Sequence, residues 1–306
     1  MPSAPQQAQP AQSGSAGTGQ PQPTANTPAP RPEPSGYLVP TKQVRLADLQ
    51  AKKRDRTPWA MLTAYDYSTA RAFSQAGIEV LLVGDSAANV VFGYPSTQQV
   101  SLEEMCYLAA GVVRGAGNSF VIVDLPFGTY EASDEAAVSS ATEMLRRSGA
   151  HAVKIEGGQR MAPRIAALKQ AGLVVCAHVG FTPQSVNTLS GYRVQGRGDS
   201  GAQALLSDVS AVVEAGADLV VLEMVPADVA RQVTERFPIP TVGIGAGPHC
   251  DAQVLVWHDM VAFPQDGHRP RFAKQWAEVG ADLVGAASAF KREVAEGSFP
   301  AEEHSF

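Results

Sequence analysis

The chain has 306 residues, 44% of them hydrophobic, which is enough apolar material for a large core. At about 150 residues per domain this length suggests two domains, although α/β barrels routinely use about 250 residues as one unit. The net charge of −6 comes without any basic run, which argues against nucleic acid or an anionic membrane surface as a partner. No apolar run approaches the roughly 20 residues that a membrane span needs.

The three cysteines, Cys106, Cys176 and Cys250, are widely spaced and form no Cys-x-x-Cys pattern. An odd number of cysteines without that pattern fits neither a disulfide framework nor a zinc site. We therefore predict buried thiols in a reducing compartment. Because the sequence also lacks a signal peptide, we expect a cytoplasmic protein.

Residues 1–38 consist mostly of Pro, Ala, Gln, Ser, Thr and Gly, and their only charges, Arg31 and Glu33, cancel. Such a segment buries too little apolar surface to offset the loss of chain entropy on folding. It is neither Arg-rich nor amphipathic, as a transit peptide would be. We predict a disordered tail over 1–38 and one catalytic domain over 39–306.

One unit recurs along the rest of the chain, after a short lead-in helix predicted at about 44–53. A helix ends in a small residue plus Gly, an apolar run of five or six residues follows, and a polar residue closes the run. Gly accepts the left-handed conformation that closes a helix, and a continuous apolar run is typical of a strand covered on both faces. Five segments show the whole unit, at 80–85, 120–124, 152–156, 173–178 and 219–223.

Further apolar runs at 59–64 and 240–247 bring the predicted strands to seven. For the eighth strand, 254–259 competes with 280–284, which resembles the unit but lies in a stretch with helical spacing. We take 254–259 as the eighth strand. Eight βα units in this length favour a (β/α)8 TIM barrel over an open doubly wound sheet.

Polar side chains close six of the predicted strands, and barrel enzymes place their active sites at these carboxyl ends. They are Tyr65, Asp85, Asp124, Glu156, His178 and Glu223. Each alone has an ordinary explanation: an aspartate can cap a helix or turn, a histidine can lie in the core, and a glutamate can form a surface salt bridge. Carboxylates that meet in one small mouth repel each other unless a cation lies between them. Oxygen ligands suit a hard cation such as Mg²⁺ better than zinc.

Lys154 and Glu156 lie two residues apart on one predicted strand, so both side chains face the barrel interior. The simplest interpretation is a buried ion pair, which is costly unless the site uses it. Beside a metal ion, Lys154 is suited to hold a substrate carboxylate. This suggests a small oxo acid, chelated so that the proton next to its carbonyl becomes acidic. Glu223 is then the remaining carboxylate, free to act as general base or acid.

Seven motifs resemble the ketopantoate hydroxymethyltransferase family, in order along the chain from about Leu46 to Phe306. They are TAYDYS (63–68), VGDS (83–86), DLPF (124–127), KIEGG (154–158), HVGFTPQS (178–185), GYRVQGRG (191–198) and GIGAG (243–247). The resemblance implies a TIM barrel of the phosphoenolpyruvate/pyruvate type. It also implies transfer of a hydroxymethyl group from 5,10-methylenetetrahydrofolate to 3-methyl-2-oxobutanoate, through a Mg-chelated enolate. The product is ketopantoate (2-dehydropantoate), for pantothenate synthesis.

The resemblance also implies roles for individual residues. The implied Mg²⁺ shell, with one ion per subunit, consists of Asp85, Asp124 and Glu156, the last directly or through a water. The implied oxo-acid site consists of Asp85, Ser86, Asp124 and Lys154, with His178 and Tyr65 lining the same cavity. Glu223 matches the proton acceptor. Members of the family commonly assemble as homo-oligomers, and the resemblance implies a decamer.

Two motifs have both a structural and a functional interpretation. GIGAG at 243–247 is either a tight turn after a strand or a close approach of backbone to a ligand. The loop 191–198 is either solvated or a lid over the folate. Two other functions also stay open: a Mg-dependent C–C lyase acting on an oxo-acid derivative, and a metal-dependent scaffold that binds partners through its tail.

Overall fold

The computed structural model describes residues 41–263 and 270–306. Within these ranges eight parallel strands close into a barrel in chain order, with the eighth paired to the first. The strands are β1 (Trp59–Thr63), β2 (Val80–Val83), β3 (Phe120–Asp124), β4 (Ala152–Glu156), β5 (Val175–Gly180), β6 (Leu219–Glu223), β7 (Thr241–Ile244) and β8 (Ala252–Leu255). The predicted TIM barrel is confirmed. The predicted tail over 1–38 lies outside the described residues and stays a prediction.

Helices surround the barrel, and the predicted lead-in helix precedes it. They are α1 (Leu46–Asp55), α2 (Tyr67–Gln75), α3 (Ala87–Val90), α4 (Leu102–Gly115), α5 (Asp134–Ser148), α6 (Ala162–Gln170), α7 (Gly198–Glu214), α8 (Ala227–Arg236), α9 (Trp257–Met260) and α10 (Val279–Glu296). Local sequence explains the start of α4. Ser101 accepts the Glu104 N–H at the start of α4, and the Glu104 carboxylate accepts the Ser101 N–H in return.

Alternation along the strands separates two hydrophobic layers. On β4, Ala152 belongs to the cluster inside the barrel, whereas Val153 and Ile155 belong to the cluster between barrel and helices. Because side chains two apart share a face, Lys154 and Glu156 point into the barrel with Ala152. Asp124, His178 and Glu223 follow interior residues of their own strands in the same way.

The eighth strand begins two residues earlier than predicted and ends four residues earlier. The strand is Ala252–Leu255, and the residues from Trp257 onward form the short helix α9. The predicted boundary was wrong because the Trp257 N–H donates to Thr63 Oγ1 at 3.0 Å and so leaves the strand ladder. The choice between the two candidate segments is confirmed, since 280–284 lies inside α10.

The described residues agree with the prediction of buried thiols. All three cysteines are buried and unpaired. Across 41–263 and 270–306, no helix combines the length and apolarity needed to span a bilayer.

Candidate active site

The carboxyl ends of the strands enclose a cavity of about 100 Å³. Its lining includes seven of the residues predicted from sequence: Asp85, Ser86, Asp124, Lys154, Glu156, His178 and Glu223. The eighth, Tyr65, is buried behind them, with its hydroxyl 2.8 Å from Ser86 Oγ. The structure therefore brings all the predicted site residues to one end of the barrel.

Strand register places these side chains next to each other. Asp124 is paired with Lys154 across β3 and β4, and Glu156 is paired with His178 across β4 and β5. Gly180 lies opposite Glu223 and has a φ of +93°. A Cβ at Gly180 would lie 2.3 Å from the Glu223 carbonyl oxygen, so only glycine allows β5 to approach β6 here.

Lys154 is the central cation of the cavity. Its Nζ lies 3.2 Å from Asp124 Oδ1 and 3.6 Å from Glu156 Oε1, and the side chain is almost completely buried. Burial alone would lower the pKa of Lys154, but Asp124, Glu156 and Asp85 outweigh burial and raise it. Lys154 is thus a charged ammonium. It forms the buried ion pair with Glu156 that the sequence predicts.

His178 connects two carboxylates. Its Nδ1 lies 3.3 Å from Glu156 Oε1 and its Nε2 lies 3.2 Å from Glu223 Oε2. Burial and Lys154 would lower the pKa of His178, but the two glutamates raise it to about 9. Lys154 Nζ lies 3.1 Å from Nδ1, so the neutral ring keeps its proton on Nε2. Nε2 is buried and lies close to Glu223, but it makes no hydrogen bond to any described residue.

The cavity holds more negative than positive charge. Burial raises the pKa of Asp85 well above its ordinary value, and Glu156 and Asp124 raise it further. Burial also raises the pKa of Asp124, although Lys154 partly offsets this. Counting Glu223, four carboxylates face one ammonium and one imidazolium. When all four carboxylates are ionised, they exceed the two cations by two negative charges, which one divalent cation would balance.

The carboxylate oxygens of the cavity suit a hard cation that is bound by only a few protein ligands. Asp124 Oδ1 and Glu156 Oε1 are buried and accept no hydrogen bond from the described residues. However, residues 41–263 and 270–306 contain no group of three or more His, Cys, Asp or Glu side chains placed to hold a metal ion directly. Mg²⁺ often keeps several waters and binds only one or two carboxylates. The three-residue shell expected from the resemblance therefore stays a prediction, with Glu156 as the residue suited to act through water.

Two buried residues complete the site without having been singled out from sequence. Gln184 follows β5 on a short 3₁₀ turn, Pro183–Ser185, and Tyr130 lies in the loop after β3. Gln184 Nε2 donates to Asp85 Oδ2 at 2.9 Å, and its backbone N–H donates to Glu156 Oε2 at 3.0 Å. Gln184 stands within the HVGFTPQS motif, but nothing local in the sequence predicts contacts with residues 28 and 99 positions away.

A second cavity of about 950 Å³ is lined in part by Gln184, whose Nε2 donates to Asp85 in the lining of the first cavity. It lies between the ends of β4 and β5 and the side of α7, and its walls are mainly glycines, amides and aliphatic groups. Part of the loop 191–198 borders it through Gln195 and Gly196, and the Gln195 N–H donates to the Met224 carbonyl at 2.9 Å.

The other motif, 243–247, contains a turn in which Gly245 has a φ of +62°.

Comparison with known proteins gives matches over most of the chain. A family model described as ketopantoate hydroxymethyltransferase matches residues 43–302. A 3-methyl-2-oxobutanoate hydroxymethyltransferase from Corynebacterium jeikeium is 71% identical over 273 residues, which are 89% of this chain and 96% of the relative. One of the same name from Corynebacterium diphtheriae is 62% identical over 266 residues, covering 87% of this chain and 100% of the relative.

Solved structures of low sequence identity share the fold. A phosphoenolpyruvate phosphomutase from Streptomyces platensis subsp. rosaceus has a TM-score of 0.57 at 16% identity, covering 83% of this chain and 88% of the other. A 2,3-dimethylmalate lyase, described as a member of the PEP mutase/isocitrate lyase superfamily, has a TM-score of 0.54 at 18% identity, covering 85% and 91%. These similarities identify the barrel type.

Proposed function

The chain belongs to the ketopantoate hydroxymethyltransferase family, and from this premise we propose how its barrel mouth performs the reaction of that family. The chain is a transferase that adds a hydroxymethyl group to 3-methyl-2-oxobutanoate and forms ketopantoate. Membership of this family decides against the lyase and the scaffold as alternatives.

One observation supports the proposed chemistry most strongly: a buried cavity at the strand ends whose four carboxylates face only two cations. We assign Asp85 and Asp124 as direct ligands of one Mg²⁺, with Glu156 acting through water. Mg²⁺, when bound, acts as a Lewis acid that polarises the substrate carbonyl and makes the neighbouring C–H acidic. Ser86 and Lys154 hold the oxo acid, and Lys154 binds the carboxylate of that substrate. Tyr65 orients the Ser86 hydroxyl through the hydrogen bond between the two side chains.

Glu223 takes the C3 proton of the oxo acid. It lines the same cavity, and its side chain is about 15% exposed, so it is reachable by a bound substrate. His178 Nε2 lies 3.2 Å from Glu223 Oε2, so a charged His178 would stabilise the ionised form of Glu223. The other oxygen remains for proton transfer. C3 then bonds to the one-carbon unit, the bonds from that carbon to the donor nitrogens break, and one water supplies the hydroxyl group as tetrahydrofolate leaves. A positioned acid or base of this kind contributes roughly 10²–10⁴-fold to a rate.

We assign 5,10-methylenetetrahydrofolate as the one-carbon donor and the adjoining cavity as its site. The cavity volume of about 950 Å³ lies at the upper end of the range for drug-sized ligands, about 300–1,000 Å³. Gln184 lines this cavity and donates to Asp85 of the oxo-acid cavity, and we propose that the donor presents its reactive carbon to C3 at this boundary. The loop 191–198 borders the same space and would cover the donor as a lid.

We further propose that the chain forms a homo-oligomer, and the family resemblance implies a decamer. Helix α10 supports association because a stripe of apolar side chains along it faces solvent. Leu283 is 55% exposed, Phe290 58% and Val294 49%. Contiguous exposed apolar surface of this kind is typical of protein interfaces.

The buried unpaired thiols support the proposed cytoplasmic location.

An assay of ketopantoate formation tests the function. The purified full chain is stripped of metal with EDTA and given 3-methyl-2-oxobutanoate with 5,10-methylenetetrahydrofolate, and product is measured by mass spectrometry during a Mg²⁺ titration. We expect no product without metal, saturable recovery with Mg²⁺, and no product with either substrate alone. Full turnover after EDTA treatment would contradict the metal assignment, and turnover without folate would contradict the donor.

A further inference from the structure

The three carboxylates proposed to face Mg²⁺ share one pattern of hydrogen bonds. Each has one oxygen held by a hydrogen-bond donor. The second oxygens of Asp124 and Glu156 accept no hydrogen bond from the described residues and lie 3.2 and 3.6 Å from the Lys154 ammonium. Asp124 Oδ2 accepts the Asp85 N–H at 3.0 Å. Asp85 Oδ2 accepts from Gln184 Nε2 at 2.9 Å, and Glu156 Oε2 accepts from the Gln184 N–H at 3.0 Å. A single residue, Gln184, therefore holds two of the three carboxylates.

Gln184 is itself held rigidly. Only 3% of it is exposed, and all of its polar groups have partners among the described residues. The second Nε2 hydrogen is donated to the Leu125 carbonyl at 3.0 Å, and the Gln184 carbonyl accepts from Gln98 Nε2 at 2.6 Å. Oε1 accepts the hydroxyl of Tyr130, which is also buried. A side chain bound at every polar atom has little freedom to change its orientation.

Tyr130 determines which way the Gln184 amide points. The Tyr130 hydroxyl oxygen accepts the Glu156 N–H at 3.1 Å, and its own proton is directed at Gln184 Oε1. The NH₂ group must then face Asp85 and the Leu125 carbonyl, both of which are acceptors. A flipped amide would place two oxygens against each other at Asp85 and leave buried groups unpaired, which is costly.

We propose that Gln184 is a positioning residue: with Tyr130, it orients Asp85 and Glu156 so that their second oxygens face the metal and substrate cavity. The proposal rests on the proposed function, since that function supplies the cation. Gln184 acts through the carboxylates and need not touch the metal or the oxo acid itself. Groups that orient metal ligands in this way typically change metal affinity or activity by about 10–100-fold when they are removed.

The test replaces the side chain while keeping its size. Gln184→Met retains the length of the side chain and the backbone N–H to Glu156 but loses both side-chain donors. Isothermal titration calorimetry measures Mg²⁺ binding to the full chain with 3-methyl-2-oxobutanoate present, and steady-state kinetics give kcat and KM. We expect the Kd for Mg²⁺ to rise at least about 10-fold and kcat/KM to fall by a similar factor. Tyr130→Phe should shift both values in the same direction by a smaller factor.

Gln43→Met is the matched control. Gln43 Nε2 also reaches several acceptors, the carbonyls of Val44, Asn118 and Ser119, but these lie at the amino ends of the strands, opposite the cavity. It should lower Tm without changing the Kd for Mg²⁺. The positioning role is overturned if Gln184→Met lowers only Tm. It is also overturned if the Kd for Mg²⁺ and kcat/KM of this variant both stay within twofold of the wild type. Absence of Mg²⁺ binding by the wild type would instead contradict the proposed function.

Discussion

Glu223 reaches the cavity from the end of β6, and its Oε2 lies 3.2 Å from His178 Nε2, next to which we propose that it transfers a proton. We predict that Glu223→Gln lowers kcat by roughly 10²-fold or more while Mg²⁺ binding changes little. The amide keeps the size of the side chain but cannot accept the C3 proton. Calorimetric Mg²⁺ titration beside steady-state kinetics checks this. An equal loss of Mg²⁺ affinity would identify Glu223 as a metal ligand instead.

A second prediction concerns His258, which packs between Trp257, Phe263 and Tyr65 and is 5% exposed. Burial lowers the pKa of His258 to about 4, although nearby Asp66 partly opposes this. Between pH 6.5 and 4 the unfolded chain therefore binds more protons than the folded chain, and stability falls as pH falls. We expect the Tm of His258→Phe to fall by less than that of the wild type between pH 7 and 5. An equal fall in Tm for the wild type and the variant would contradict a lowered pKa of His258 in the folded chain.

The sequence predicts the identity of the cavity residues better than their contacts. Each polar residue that closes a strand was identifiable because it interrupts an apolar run, as Asp124 and Glu156 do. Gln184 and Tyr130 lie in loops, with no periodicity to mark them, and meet their partners only when the barrel closes. Their contacts depend on long-range packing, which a single sequence does not express.

At the scale of elements, the strand ends were predictable where a helix, a glycine and an apolar run follow each other. All seven earlier strands lie within or next to the predicted segments. β8 departs from this pattern because no helix separates it from β7, and because Thr63 on β1 captures the Trp257 amide and starts α9. The end of β8 is thus set by a neighbour 194 residues away in sequence, beyond the reach of local propensity.

Helix α7 forms one wall of the larger cavity, and this position gives a prediction for the donor site. Ala204 lines the cavity, whereas its neighbour Gln203 is exposed and does not. We predict that Ala204→Phe raises KM for 5,10-methylenetetrahydrofolate about 10-fold, because the ring fills space that the donor needs. Calorimetry should show unchanged binding of 3-methyl-2-oxobutanoate. Gln203→Phe is the control and should behave as the wild type. Equal KM values for both variants would place the donor elsewhere.

At the scale of the whole molecule, helix α10 predicts association. Leu283 and Phe290 lie on its exposed apolar stripe. We expect the double substitution Leu283→Glu and Phe290→Glu to reduce the mass measured by light scattering after size exclusion, because charges in an interface must be desolvated. Lys291→Glu changes charge on the same helix outside the stripe and should leave the mass unchanged. A wild-type chain that elutes as a monomer would contradict the proposed oligomer.

The most direct measurement is an anomalous difference map from crystals grown with Mn²⁺, in place of Mg²⁺, and 3-methyl-2-oxobutanoate. Manganese prefers the same oxygen ligands and scatters anomalously. We predict one strong peak per subunit in the cavity at the strand ends, about 2 Å from carboxylate oxygens of Asp85 and Asp124. Glu156 should reach it through a water. A map without a peak there, or with the ion bound at other residues, would contradict the assignment of this cavity as the catalytic metal site.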